Sequence, residues 1–551
     1  VRTTLAIFLL TALALAFAQG TVHYVGPSDE AVYLTLARDG GRLYDGAPYV
    51  IHPPAYPLAI RAATLPGLGY ERASMVVGIV ACAGLVALLH RLVLAVSGSE
   101  LAALVAALGL ASSRVLAFTA QGAFREPLEV LLLWATLHAI VTAPEKPDRT
   151  RLVLVSVLGA LGALTFDPLG VAAPLFVVVG VLARRRAPGI AAALAGTVVW
   201  LAWALYRAHL MGAADTYPAG IDGMVEDTRP LSLLGFVNPN FLPETARHNA
   251  FWWPTRLSPE SLVALVGPAL LAAPSLVLDF VARGTAHDLV AGLWLGLAGL
   301  GLALGTPGKG RSLAALTVPT IIIGLPGLLG KQARYSMPLV PVIFLLAGLG
   351  AQRLIGRFGA GRRLVVVAFA LLAAVTVVAR PHCVLAQEWL FRTRSVASVL
   401  STVPAGARIA AYHGFPAELA WLLPGRRVLA LPFKAERVDS FLRDYPPDVI
   451  VLPMGEGDPG TPEGRDAVGL SGLLELERRR AFLPEVGVTM EAESDPPGLH
   501  AFRIVCLPGR PFLARFGFHM DPRERGAAQR ALEAGAADPM TREILLANPP
   551  R

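Results

Sequence analysis

Two neighbouring acids, Asp29 and Glu30, are the residues of this chain best suited to move a proton. They sit in Ser28-Asp29-Glu30-Ala31-Val32-Tyr33, and the pattern predicts a helix that runs on to Arg38 with Ser28 as its cap. The first turn of a helix is positively polarised, so it holds a carboxylate ionised and aimed, as a general base requires. The same two residues also suit a plain role as capping acids on a helix at a membrane surface. Further along come His52-Pro53-Pro54-Ala55-Tyr56-Pro57, then Arg125-Glu126-Pro127, then Arg334-Tyr335-Ser336-Met337-Pro338-Leu339-Val340-Pro341. An Arg-Glu pair at a helix start is structural about as often as it is functional.

These groups must be positioned by a chain made for lipid. Hydrophobic residues make up 54% of it and charged residues 16%, against about 25% charged in soluble chains. Mean hydropathy is +0.56. Runs long enough to cross a bilayer recur from Leu5 to Ala379, and none follows Arg380. The expected organisation is therefore a membrane body, 1–379, and a soluble domain, 380–551.

The net charge of +8 does not point to nucleic acid. The basic residues cluster in short loops, as in Arg184-Arg185-Arg186 and Lys146, Arg149 and Arg151, which is the positive-inside pattern. Three cysteines supply neither a disulfide framework nor a CxxC metal pair, and Cys82 reads as a small hydrophobe in an apolar helix. HExxH, GxSxG and EF-hand patterns are absent, and Gly305 to Ser312 lacks the spacing of a phosphate loop. Asp167 reads as a cap, and Trp252-Trp253 as part of an interfacial belt.

The predicted spans are 4–19, 73–96, 101–118, 127–142, 152–166, 168–183, 189–209, 261–282, 288–305, 312–329, 335–354 and 364–379. Phe166-Asp167-Pro168 reads as a hairpin turn in which Pro ends the first helix. The first run ends in Ala16-Phe17-Ala18, a signal-peptidase-like site, and the expectation is a retained first helix. With Arg2 inside, the hydrophilic stretches 20–72 and 210–260 fall outside, together with the loop carrying Arg125. If every run crosses, Arg353, Arg357, Arg362 and Arg363 fall outside as well, against the rule for basic loops. One element between Asp288 and Leu329 is therefore read as re-entrant or broken, which exports the tail.

The tail alternates β-like and helical stretches, Arg408 to Tyr412, Ala417 to Leu422, Arg427 to Leu431, Val438 to Asp444 and Val449 to Leu452, the pattern of a small α/β domain with parallel strands. Cys383 and Cys506 lie in it, and two unpaired thiols are the expectation over a bridge.

The acid pair followed by Tyr33, and then the H-P-P-x-Y-P stretch at 52–57, resembles the GT-C superfamily. The resemblance is to its family 39, which includes protein O-mannosyltransferases and the aminoarabinose transferases of lipid A. It extends more weakly to Arg125-Glu126-Pro127, to 334–341 and to Gly425-Arg426-Arg427. It implies an all-α polytopic membrane body of about eleven to thirteen spans with a C-terminal α/β domain. The implied enzyme is an inverting glycosyltransferase of the plasma or inner membrane that takes a sugar from a polyprenyl-phosphate donor on the outer face. The acceptor is a lipid, a glycan or a protein.

The resemblance gives Asp29, with Glu30, the role of base or acceptor positioner. Arg125 is the first choice to receive the donor phosphate, because a guanidinium engages two oxygens at once. His52 and Arg334 come next, with Tyr33, Tyr56 and Tyr335 as further binding residues. Glu126 either orients Arg125 or binds a metal, and the need for a divalent metal stays open. Two rival readings are a transporter or flippase of lipid-linked sugars and a non-catalytic assembly protein. The first calls for ionisable residues within spans and for repeated halves.

Overall fold

The computed structural model describes residues 2–19, 29–40, 42–43, 47–48, 53–113, 116, 119–120, 122–213, 296–301, 310–329 and 337–358. In the tail it describes 406, 408–411, 415–424, 426–430, 449–453, 500–506 and 516–519. The chain divides into two compact units. The first comprises Val1–His23, Val50–Leu210 and Thr228–His382, and the second Tyr24–Tyr49, Met211–Asp227 and Cys383–Arg551. The stretch 20–72 is thus split between them.

The first unit is helical. Its elements are α1 (Arg2–Gln19), α3 (Ala55–Ala63), α4 (Tyr70–Ser97), α5 (Glu100–Ser112), α6 (Glu126–Val141), α7 (Arg149–Ala163), α8 (Asp167–Ala172), α9 (Leu175–Leu182), α10 (Arg186–Ala213), α11 (Gly310–Leu329) and α12 (Val340–Phe358). The helix between α1 and α3, α2 (Asp29–Asp39), belongs to the second unit. Helix α4 has 28 residues, about 42 Å at ~1.5 Å per residue, ample for a bilayer core of roughly 30 Å. Among the described residues, Tyr70–Ser97, Arg186–Tyr206 and Met337–Leu354 are long and apolar enough to cross a membrane; Arg2–Ala16, Glu100–Ser112 and Gly310–Ile323 are shorter apolar helices.

Helices α1, α3, α5 and α6 pack on α4, and α12 packs on α5. Leu85, Leu89, Leu92, Leu110, Trp134 and Phe344 are among the side chains fully enclosed in this core. Leu194, Val198, Leu201 and Leu205, spaced along one stripe of α10, are exposed, as are Leu5, Leu9 and Leu13 on α1. An outward apolar stripe of this kind suits lipid, so this is an integral membrane protein.

Local chemistry sets the helix ends. Gly98 takes a left-handed conformation (φ 70°) and its N–H closes α4 on the Leu94 carbonyl, while Ser99 caps α5 by accepting from the Ala102 N–H. Asp148 caps α7 in the same way, accepting from the Arg151 N–H at 2.7 Å. The ring of His90, buried in α4, lies 3.3 Å from both Thr4 Oγ1 and Glu100 Oε1, tying α1 and α5 to α4.

Three expected spans differ. The run 101–118 is not one helix, because α5 stops at Ser112, whose hydroxyl turns back to the Gly109 carbonyl. The run 168–183 is two short helices separated at Ala173-Pro174, where proline has no N–H to continue the ladder. Pro168 sits in the first turn of α8 and does not end α7, which already stops at Ala163; a proline in the first turn replaces an N–H that would have no partner there. The runs 261–282 and 364–379, most of 288–305 and Trp252-Trp253 lie outside the described residues.

The second unit contains α2, a two-stranded ribbon of β1 (Arg42–Leu43) and β2 (Ala47–Pro48), and a five-stranded sheet. The sheet elements are β3 (Arg408–Ala411), α13 (Phe415–Leu422), β4 (Arg427–Ala430), β5 (Val449–Pro453), β6 (His500–Cys506) and β7 (Phe516–His519), in the order β4-β3-β5-β6-β7. Strand β3 pairs in parallel with β4 and β5, as expected from the strand–helix–strand pattern. Strands β6 and β7 add antiparallel pairs, Val449 opposite Cys506 and Arg503 opposite Phe516. The stretch 438–444 and the Cys383–Cys506 question lie outside what is described.

Candidate active site

In the second unit Asp29 opens α2, as the sequence predicts. From Glu30 to Ala37 every residue of α2 is buried, with Glu30 and Tyr33 one turn apart. A carboxylate this enclosed is not the solvated acid of an interfacial cap. The side chain of Asp29, like Ser28, lies outside the described residues.

In the first unit the remaining groups gather at two supports. One is the turn after α7. The Leu164 carbonyl accepts from the Ala55 N–H at 2.9 Å, which anchors the Pro53-Pro54-Ala55-Tyr56-Pro57 stretch and buries Tyr56 completely. Two residues on, the Phe166 ring lies beneath Arg125, with the guanidinium carbon 4.3 Å from the ring centre. The turn thus positions the start of α3 and the Arg125 cation together.

The other support is α6. Arg125 stands just before it, Glu126 is its first residue and Pro127 sits in its first turn. Exposure falls to 5% for Arg125, 3% for Glu126 and 2% for Glu129. Three ionisable side chains of one turn are therefore enclosed together, and Arg125 and Glu126 both act electrostatically on Glu129. Glu129 is absent from the sequence prediction. A carboxylate inside the apolar run 127–142 was the signal that could have found it, since such residues are rare in spans and tend to be functional. Two turns along, Trp134 Nε1 donates to the Pro338 carbonyl at 3.2 Å. Pro341, three residues on, has no N–H to offer that carbonyl. The end of the 334–341 motif is thereby fastened to the helix that begins with Glu126.

The structure groups Tyr56, Arg125 and Glu126 in the first unit and Asp29, Glu30 and Tyr33 in the second. His52, Arg334 and Tyr335 lie outside the described residues. Among the described residues, no three His, Cys, Asp or Glu side chains are grouped so as to hold a metal ion.

No protein-family model matches the chain, and no curated protein sequence matches it. Its fold does have solved counterparts. The structure of ArnT from Cupriavidus metallidurans bound to undecaprenyl phosphate aligns with a TM-score of 0.54 at 14% identity, over 89% of this chain and 96% of that one. This alignment runs through nearly the whole of both chains, and the fold is of the GT-C type: a polytopic helical body followed by an α/β domain. Two others align less closely. The oligosaccharyltransferase of Archaeoglobus fulgidus has a TM-score of 0.47 at 13% identity, over 81% of this chain and 68% of that one. The arabinofuranosyltransferase AftD from Mycobacteria has a TM-score of 0.45 at 16% identity, over 93% of this chain and 40% of that one.

Proposed function

We propose that this protein is a membrane glycosyltransferase that moves a sugar from a polyprenyl-phosphate donor to an acceptor on the outer face of the membrane. The observation that carries the reading is the enclosed cation at the start of α6. Arg125 is held over Phe166 beside Glu126 and Glu129, in a fold whose solved counterpart carries undecaprenyl phosphate. A buried guanidinium seated over a ring beside two enclosed acids is pre-aimed, and it suits a phosphate that gains charge as it leaves.

In the step itself an acceptor hydroxyl or amine attacks the anomeric carbon, whose bond to the phosphate oxygen breaks. The electron pair leaves with the polyprenyl phosphate toward Arg125, and the acceptor's proton passes to Asp29. Attack opposite the leaving group inverts the anomeric centre. Glu30 flanks the base. Tyr33, His52, Tyr56, Arg334 and Tyr335 are proposed to line the donor and acceptor paths. The first-loop motif supports family 39 as the finer placement, and the basic loops support an outward-facing Asp29.

The test is purified protein in detergent offered a panel of polyprenyl-phosphate sugars with lipid, glycan and peptide acceptors. Release of polyprenyl phosphate coupled to a glycosylated acceptor is the expected result. Absence of release across the whole panel, from protein that still binds the donor, would leave a transporter or flippase as the better reading.

A further inference from the structure

The helix that carries Asp29 and Glu30 packs on α13 of the α/β domain, and at its far end one side chain bonds across to that helix. The Arg38 guanidinium donates from Nη1 to the Trp421 carbonyl at 3.0 Å and from Nη2 to the Ala420 carbonyl at 3.1 Å. Its carbon lies 4.9 Å from the centre of the Trp421 ring. The neighbouring Asp39 carboxylate takes Nε at 2.8 Å and Nη2 at 2.9 Å, which fixes the plane of the fork.

The two acceptors are not arbitrary. Helix α13 ends at Leu422, so the carbonyls of Ala420 and Trp421 belong to its last turn, where helix carbonyls accept from donors outside the helix. A cation placed there also meets the negative end of the helix. Helix α13 itself is anchored, because it connects the parallel strands β3 and β4 and buries Leu419 against their layer with Ile409 and Val428. Arg38 therefore joins α2 to a firm part of the sheet domain.

We propose that Arg38 is a positioning residue, fixing the acid-bearing helix to the end of α13 so that the α/β domain sets the aim of Asp29 and Glu30. This rests on the reading of Asp29 as the base. The lever is geometric: Arg38 lies nine positions along the helix from Asp29, about 13.5 Å at ~1.5 Å per residue. A tilt of about 5° at the fastened end then displaces the acids by about 1 Å, and misplacement on that scale costs about a hundredfold in rate. Lysine replaces the contact only in part, since it keeps the charge at the helix end but lacks the planar fork and stacks poorly on an indole.

The experiment compares full-length wild type, Arg38→Ala, Arg38→Lys and Asp39→Asn in detergent. It reads donor affinity, turnover and hydrogen exchange of residues 29–39. In Arg38→Ala the α2 amides are expected to exchange at least about tenfold faster, and turnover to fall by about a hundredfold at unchanged donor affinity. Arg38→Lys should recover part of both. Asp39→Asn loosens the fork from an exposed position and should give a several-fold fall in turnover, so a test survives if Arg38→Ala unfolds the domain. Turnover within twofold of wild type in Arg38→Ala overturns the proposal, whatever the exchange shows. Lost donor affinity in step with turnover overturns it too, because the defect would then reach the phosphate site. If wild type transfers no sugar, the reading of Asp29 fails, while the exchange arm still decides whether Arg38 holds α2.

Discussion

The Arg125 guanidinium lies 4.3 Å above the centre of the Phe166 ring, and the turn that presents this ring also holds the start of α3 through the Leu164 carbonyl. One short connection therefore supports both the cation and the Tyr56 stretch. Donor affinity should depend on it. Arg125→Ala is expected to weaken binding of the polyprenyl-phosphate donor more than Arg125→Lys, which keeps charge but loses the fork. Phe166→Leu, which removes the ring beneath the cation, should cost about 1–2 kcal/mol, or about tenfold in Kd. Equal affinities in wild type and all three variants would return Arg125 to a structural role.

Asp29→Asn is expected to abolish transfer while thermal stability stays close to wild type. The amide keeps the shape and the helix-start hydrogen bonding but cannot take the acceptor's proton. Glu30→Gln should reduce turnover less. Turnover near wild type in Asp29→Asn, or simple unfolding, would remove Asp29 from the mechanism.

Arg125 and Glu129 should be energetically coupled, since both are enclosed at the start of α6. A double-mutant cycle with Arg125→Met and Glu129→Leu, read by thermal unfolding in detergent, is expected to give about 1–3 kcal/mol of coupling. Strict additivity would show that Glu129 does not hold Arg125 and is buried for another reason.

The contact between α5 and α12 depends on the absence of a side chain at Gly348, where a Cβ would run into the Ala102 carbonyl oxygen. A Cβ at Gly84 would meet only the Leu131 methyl groups at 3.4 Å. Gly348→Ala is therefore expected to lower the melting temperature by several degrees, and Gly84→Ala to change it little. A reversed order would mean that α12 can shift along α5 without loss.

Membrane sidedness can be read with single cysteines placed in the tail and in the 143–151 loop, labelled on intact cells with a membrane-impermeant maleimide. Labelling of the tail with a silent 143–151 loop is expected. Basic residues near span ends keep a loop inside, and Arg38 on α2 bonds directly to the tail's α13. The opposite labelling pattern would place the tail in the cytoplasm and, with it, the acids of α2.

The membrane body was legible in the sequence because its signals are local. Run length and flanking charge marked α4, α6 and α10, and Asp148 was available as a cap three residues before its acceptor contact at Arg151. The helix opening at Asp29 and the parallel pairing of β3 with β4 and β5 could likewise be read from short windows. Glu129 was also in view, as a lone acid in an apolar run. What tertiary structure alone decided is every relationship between distant residues. Strands β6 and β7 join the sheet only by pairing across about fifty residues from β5. The Arg125–Phe166 stack, the Trp134–Pro338 hydrogen bond and the grip of Arg38 on α13 link positions whose local sequences carry no mark of one another. Short-range patterns record backbone preference and burial. Which cation meets which ring or carbonyl is settled only when the helices pack and each polar group must find a partner away from water.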